Sequence, residues 1–194
     1  MADFKIADKI TGINEGGYAN NPSDRGGETY AGIARKFWGS WPGWKYIDKY
    51  KADYAKAKMA GKTKLSLAGW INASARVPSE PVRDLVVGFY KKEFWDANKL
   101  DQINDQQLAN SIYDFGVNSG KGRAVQFLES IFGVIKDGIM DPTVIKLTNA
   151  ADSERTLTEY NAMRRAAYLS WAKGDQAQFL TSWLRRLKPY QNVA

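Results

Sequence analysis

Glu15, followed by Gly16, Gly17 and Tyr18, is the residue whose type and setting best suit acid chemistry. It ends a segment with an apolar stripe, and the two glycines let a bulky ligand approach the backbone closely. Asp24 follows in a stretch rich in turn residues, and Thr29 comes shortly after it. A carboxyl on an apolar face resists ionisation and so keeps a proton to donate. A second carboxylate, or a water held by a hydroxyl, completes the arrangement that cleaves an acetal. Glu15 is therefore a candidate general acid, Asp24 a candidate second carboxylate and Thr29 a candidate holder of water. Neither fragment is specific alone, because Glu before Gly-Gly also ends solvated helices and Asp24-Arg25-Gly26-Gly27 also reads as a turn.

The chain of 194 residues contains no histidine and no cysteine. Zinc hydrolysis normally uses imidazole ligands, and serine or cysteine triads use an imidazole base. Carboxylates, hydroxyls, amides and lysines are left to carry any chemistry, which is how glycoside hydrolases work. No cofactor and no metal are expected. The net charge of +7 points to an anionic partner such as nucleic acid, an acidic lipid surface or bacterial wall, although ordinary solubility accounts for it equally well. The lysines are dispersed among acids rather than gathered in a stripe, so no nucleic-acid partner is expected. No stretch approaches the apolar length of a membrane span, so no stable membrane insertion is expected either.

The elements that must position these residues read as mainly helical. Phe4, Ala7, Ile10 and Ile13 recur at helical spacing, which predicts a helix over 3–15 and puts Glu15 nearly above Phe4 on the buried stripe. From Asn20 to Ala34 the composition predicts an irregular loop and one small β-hairpin around Glu28–Ile33. Helices are expected over 43–59, over 80–96 with Ser79 as cap and Pro81 in the first turn, and over 105–118, 121–133, 141–150, 153–173 and 176–187. The stretch 60–79 reads as a long connection and a candidate flap. The length allows one domain, or a catalytic unit with a helical appendage, but not two large domains.

Other positions carry open readings. Tyr18 and Tyr30 are candidate substrate-binding residues that stack on sugar faces, with core packing as the alternative. Asp114 and Asn118 share one helix face and are candidates for lining the cleft and holding an N-acetyl group, with capping or an internal hydrogen bond as the alternative. Trp38, Trp41 and Trp44 could line a groove, though their spacing fits packing better. Arg164-Arg165 and Arg185-Arg186 add basic faces to the last helices.

The order Glu15, Asp24, Thr29 across a helix end and hairpin resembles the phage-type lysozymes, with one residue fewer between Asp24 and Thr29. Glu15-Gly16-Gly17-Tyr18, then Asn21-Pro22-Ser23-Asp24-Arg25-Gly26-Gly27-Glu28-Thr29-Tyr30 and Gly32-Ile33, resemble the N-terminal signature of glycoside hydrolase family 108. These are lysozyme-like peptidoglycan hydrolases also described as secretion activators. Asp114-Phe115-Gly116-Val117-Asn118-Ser119-Gly120 with Arg123-Ala124 resembles the family's second segment, and Asp137-Gly138-Ile139-Met140-Asp141-Pro142 is similar to a turn of its peptidoglycan-binding region. Asp141 stands where that family has glycine, and Arg25 where proline is common.

The resemblance implies a mainly α, lysozyme-like fold with a catalytic region over 1–105. It also implies a helical region over 106–194 that completes the cleft and carries a peptidoglycan-binding segment. It implies cleavage of the β-1,4 bond between N-acetylmuramic acid and N-acetylglucosamine with Glu15 as acid, and bacterial peptidoglycan as partner, by a protein acting as a monomer. Family members serve as phage endolysins or as wall-opening enzymes that assist export. Residues 1–14 mix Asp3, Lys5, Asp8 and Lys9 into apolar positions and lack the layout of a secretory signal, so the expectation is synthesis in the cytoplasm and action on the wall after holin-type or other export. The alternatives are a lytic transglycosylase and a non-catalytic wall-binding or secretion-activating module.

Overall fold

The computed structural model describes residues 1–12, 16–21 and 27–190. In chain order the main elements are α1 (Phe4–Thr11), β1 (Tyr18–Asn20), β2 (Glu28–Tyr30), β3 (Ile33–Ala34), α2 (Trp44–Met59), α3 (Leu67–Ala75) and α4 (Val82–Tyr90), then α5 (Gln106–Ser119), α6 (Lys121–Phe132), α7 (Pro142–Ala150), α8 (Ser153–Trp171) and α9 (Leu180–Arg185). This is the mainly α architecture, with a small sheet after the first helix, that the sequence predicts. Side-chain caps set most of the helix starts. The carboxylates of Asp3, Asp105, Asp141 and Asp152 accept backbone N–H groups in the first turns of α1, α5, α7 and α8. Asp141 thus serves locally as the cap of α7.

Four expectations need correction. The helix expected over 3–15 is present only over Phe4–Thr11, with Gly12 as its C-cap, and the placing of Ile13 and Glu15 on its stripe lies outside the described residues. The hairpin is a three-stranded antiparallel sheet in the order β1-β2-β3. The expected hairpin is β2 and β3, joined by a turn with Ala31 at φ 47° and Gly32 at φ 75°, and the strand that was hidden is β1, whose three residues are too few to show an alternation. The 60–79 connection contains α3, whose Ser66 hydroxyl accepts the Gly69 N–H at 3.1 Å. Gly69 inside that helix, with polar Asn72 and Ser74, masked its period. The last segment begins as a 3-10 turn over Gly174–Phe179 before α9. The predicted 80–96 helix is present as α4 followed directly by a π-helical stretch, Lys91–Asp96, that buries Trp95.

The packing falls into two compact units, Asn14–Phe89 and the combination of Met1–Ile13 with Tyr90–Ala194. In the first, the sheet and α2 to α4 bury Ile33, Trp41, Trp44, Ile47, Tyr50 and Ile71. Trp41 and Trp44 meet edge to face at 5.2 Å, and the Trp44 indole N–H donates to the Trp38 carbonyl at 2.7 Å, so this cluster packs rather than lines a groove.

In the second unit α5 is buried from Leu108 through Gly116 and is packed by α1, α6 and α8. A helix buried all round is the centre of its core. Phe4, Trp95 and Tyr113 pack edge to face on one side of α5, and Phe115 meets Phe127, Tyr160, Tyr168 and Trp171 on the other.

After α6 the chain turns at Gly138, where φ is 76° and an added Cβ would come within 2.9 Å of the Gly122 carbonyl oxygen. Both oxygens of the buried Glu129 carboxyl accept the Gly138 N–H, at 3.1 and 3.0 Å. Burial raises the Glu129 pKa, and the Gly138 N–H only partly offsets this. A carboxyl whose folded pKa is raised stabilises the fold below its ordinary range and loses that contribution as pH rises through the raised value. Relative to Glu129→Gln, the wild type should therefore lose stability as pH rises above the ordinary carboxylate range. Urea unfolding of both proteins across that rise checks this, and a difference that is flat or grows with pH rejects it.

Candidate active site

Of the candidate residues, Glu15 and Asp24 lie outside the described residues. Tyr18, Thr29 and Tyr30 come together on the sheet, in a register that pairs Tyr18 with Tyr30 and Ala19 with Thr29. Paired residues share a face and neighbours along a strand alternate. Tyr18 and Tyr30 therefore point to one side, and Thr29 to the other with Ala19. The tyrosines and the threonine do not line one surface.

On the tyrosine side sits a charge cluster that sequence reasoning passed over. The Tyr18 hydroxyl donates to Glu28 Oε1 at 3.0 Å, and Lys51 Nζ reaches the same oxygen at 2.9 Å. Arg35 Nε pairs with Glu28 Oε2 at 2.7 Å, while its Nη atoms reach Asp48 at 3.0 and 2.6 Å. Burial, together with the Glu28 hydrogen bond and charge, pushes the Tyr18 pKa up to about 12, so it remains a neutral donor. Burial by itself would lower the Arg35 pKa, but pairing with Asp48 and Glu28 outweighs it and leaves it raised. Glu28 thus ties β2 to α2, and Thr29, its neighbour, sits on a strand held in place. The only signal for this in the sequence was one acid beside Thr29, with its partners far along the chain.

Asn72 is the second residue that the sequence did not single out. Its side-chain oxygen accepts the Tyr18 backbone N–H at 2.8 Å. An added Cβ on Gly17 would overlap the Asn72 amide. A side chain at the second glycine of Glu15-Gly16-Gly17-Tyr18 would displace the Asn72 amide from its bond to the Tyr18 N–H, which Asn72 uses to fix the start of β1.

Asp114 and Asn118 lie on α5, in the other unit. Asp114 is 1% exposed and does not line an open surface. Its Oδ2 accepts Arg164 Nη2 at 2.5 Å, and its Oδ1 accepts Arg186 Nη2 at 2.8 Å and the Thr11 hydroxyl at 3.4 Å. Arg164 also donates to the Ser111 hydroxyl at 2.7 Å and to the Tyr168 hydroxyl at 3.3 Å. Burial opposes the Arg164 charge, but Asp114 and Tyr168 more than compensate and leave its pKa raised. Asn118, half-buried, donates to the Tyr168 hydroxyl at 3.2 Å. Both residues have the internal hydrogen bonds that were the alternative to sugar contact. Among the described residues no group of three or more His, Cys, Asp or Glu is placed to hold a metal ion, and no helix is long and apolar enough to cross a membrane.

A mainly α chain with a central buried helix, and a small sheet set directly after a Glu-ended N-terminal segment, has the fold of the lysozyme-like glycoside hydrolases. The family described as glycosyl hydrolase 108 matches residues 9–120, and the chain belongs to that family. A solved structure, that of Brucella abortus SagA, superposes with a TM-score of 0.65 at 22% identity, covering 96% of this chain and 90% of that one. At that identity the likeness speaks for the fold. No curated protein matches the sequence.

Removing the Asp114 carboxylate leaves two guanidinium groups short of a counter-charge in the core. Asp114→Ala is expected to destabilise the protein by about 3–5 kcal/mol. Asn72→Ala, which orphans one backbone N–H, is expected to lose about 1–3 kcal/mol. Denaturant titration reads both, and an Asp114 variant as stable as wild type would contradict the structural role.

Proposed function

We propose that the protein hydrolyses bacterial peptidoglycan at the β-1,4 bond between N-acetylmuramic acid and N-acetylglucosamine, with Glu15 as general acid. The observation that carries this reading is the family match across residues 9–120, which spans both the Glu15-to-Thr29 segment and the Asp114-to-Gly120 segment. The lack of histidine and cysteine leaves the work to carboxylates and supports the same reading.

In the proposed mechanism, protonated Glu15 gives its proton to the glycosidic oxygen as the bond from that oxygen to the anomeric carbon breaks. The oxocarbenium-like sugar is met by a water held near Asp24 and Thr29. That water adds to the anomeric carbon and gives a proton to Asp24, and solvent then restores the proton on Glu15. Direct attack by water inverts the anomeric centre, whereas a closer Asp24 acting as nucleophile retains it. A carboxyl separation beyond about 6.5 Å favours the first and one near 5 Å the second. Asp114 and Asn118 enter as residues that hold α5, since their polar atoms already have partners within the core. Residues 106–194 are proposed to add wall contacts. The protein would act on the wall outside the membrane, as a phage endolysin or an enzyme that assists export.

Glu15→Gln should lower the release of reducing ends from sacculi by at least about 100-fold without changing the unfolding midpoint. A variant that still clears a zymogram would remove Glu15 from the chemistry. Mass spectrometry of the products separates the neighbouring reactions: reducing muramic ends mean hydrolysis and anhydro ends mean a lytic transglycosylase. Absence of either from the wild type would leave a wall-binding module.

A further inference from the structure

A cavity of about 740 Å³ lies wholly within the Asn14–Phe89 unit, between the β2–β3 turn, the end of α3 and the first turns of α4. Tyr30 forms one wall, Val86 and Val87 contribute an apolar side, and Arg76, Arg83 and Asp84 bring charge. Its volume suits a ligand of a few residues' size.

The charges are unequally committed. Glu80, also in the wall, accepts the Tyr50 hydroxyl at 2.6 Å and stands 4.0 Å from Lys49. Asp84 sits in the first turn of α4, where the helix dipole favours an anion. Arg76 and Arg83 have no acid partner among the described residues, unlike Arg35, Arg164 and Arg186, each of which holds a carboxylate. Arg76 is close enough to Tyr30 for its charge to act on that hydroxyl. Two guanidinium forks that make no ion pair among the described residues, although Glu80 and Asp84 share the wall, stand beside an aromatic ring and an aliphatic side and are suited to a carboxylate carried on a partly apolar body. A bare phosphate polymer would gain little from Val86 and Val87.

We propose that this pocket receives the carboxylate-bearing peptide carried on the muramic acid of peptidoglycan, with Arg76 and Arg83 as the groups that hold its carboxylates. The proposal rests on the peptidoglycan reading above. It makes the enzyme selective for glycan that still carries its peptides, because those peptides add binding that bare glycan lacks.

The test compares wild type with the double variant Arg76→Gln, Arg83→Gln on two substrates: sacculi with their peptides, and the same glycan after an amidase has stripped them. Loss of two charge-assisted contacts should raise KM on peptide-bearing glycan about tenfold, while stripped glycan is cleaved by both proteins within about twofold. An equal loss on both substrates, or no change on either, overturns the proposal. Muramyl dipeptide, titrated into Glu15→Gln protein and followed by NMR, should shift the arginine side-chain signals of Arg76 and Arg83. Glycerol phosphate competing as well as muramyl dipeptide would assign the pocket to wall phosphate and overturn the peptide assignment. If the wild type cleaves neither glycan yet muramyl dipeptide still binds through these arginines, the hydrolase reading falls and the pocket stands.

Discussion

The buried pair between Asp114 and Arg164 is the interaction on which the larger unit depends. A helix buried along its length has no solvent to satisfy a charge, so Asp114 in the middle of α5 is tolerable only with partners in place. Arg164 comes from α8, Arg186 from just after α9, and the Thr11 hydroxyl from the last turn of α1. Through Ser111 the network continues to Asn161, whose amide donates to the Tyr190 carbonyl at 3.0 Å. Segments distant in sequence are thereby fixed in register to one carboxylate. Hydrophobic burial drives these helices together, but it is indifferent to sliding, and the fork geometry of two guanidinium groups is not.

This gives a physical meaning to the Asp114-to-Gly120 segment. Gly116 packs with Lys121 and Ala124 at ordinary contact distance from where a Cβ would stand, and Gly120 takes φ 98° at the junction of α5 and α6. Asp114, Gly116, Asn118 and Gly120 each meet a constraint of packing, chain direction or charge within the unit. Thr11 belongs to the last turn of α1, so the same carboxylate also holds the end of that helix.

What was legible in the sequence follows from the range of the interactions. Caps act over three residues, and the helix starts expected at 3, 105, 141 and 153 fall within one residue of the capped starts of α1, α5, α7 and α8. The start of the α1 stripe, Phe4 and Ala7, and the position of the sheet were legible in the same local way, whereas Thr11 rather than Ile10 is the third buried residue. Register, by contrast, is a pairing between strands, and without it the side of the sheet on which Tyr18 falls was out of reach. Asp114 stayed open between cleft and core because its partners lie 50 and 72 residues away, and a helix-face pattern cannot tell a core carboxylate from a cleft carboxylate. α3 was missed because Gly, Asn and Ser break its period, while Asn72 among them makes the contact that shapes the Gly17 turn.

The charge cluster on the sheet bears on whether a carboxyl in the same unit can keep its proton. A net charge of +7 spreads a positive potential that favours ionised carboxylates and works against a general acid. Arg35 and Lys51 would add to that field locally if they stood alone. They do not, because Glu28 and Asp48 supply an equal number of negative charges within hydrogen-bonding distance. The field of a neutral cluster falls off much faster than that of a lone cation, so Arg35 and Lys51 add little net positive field around the sheet. The unpaired cations of this unit's pocket are Arg76 and Arg83, where attraction of an anion is useful. In the proposed mechanism, the placing of paired and unpaired arginines is what lets one basic surface draw in an acidic polymer and still present it with a protonated acid.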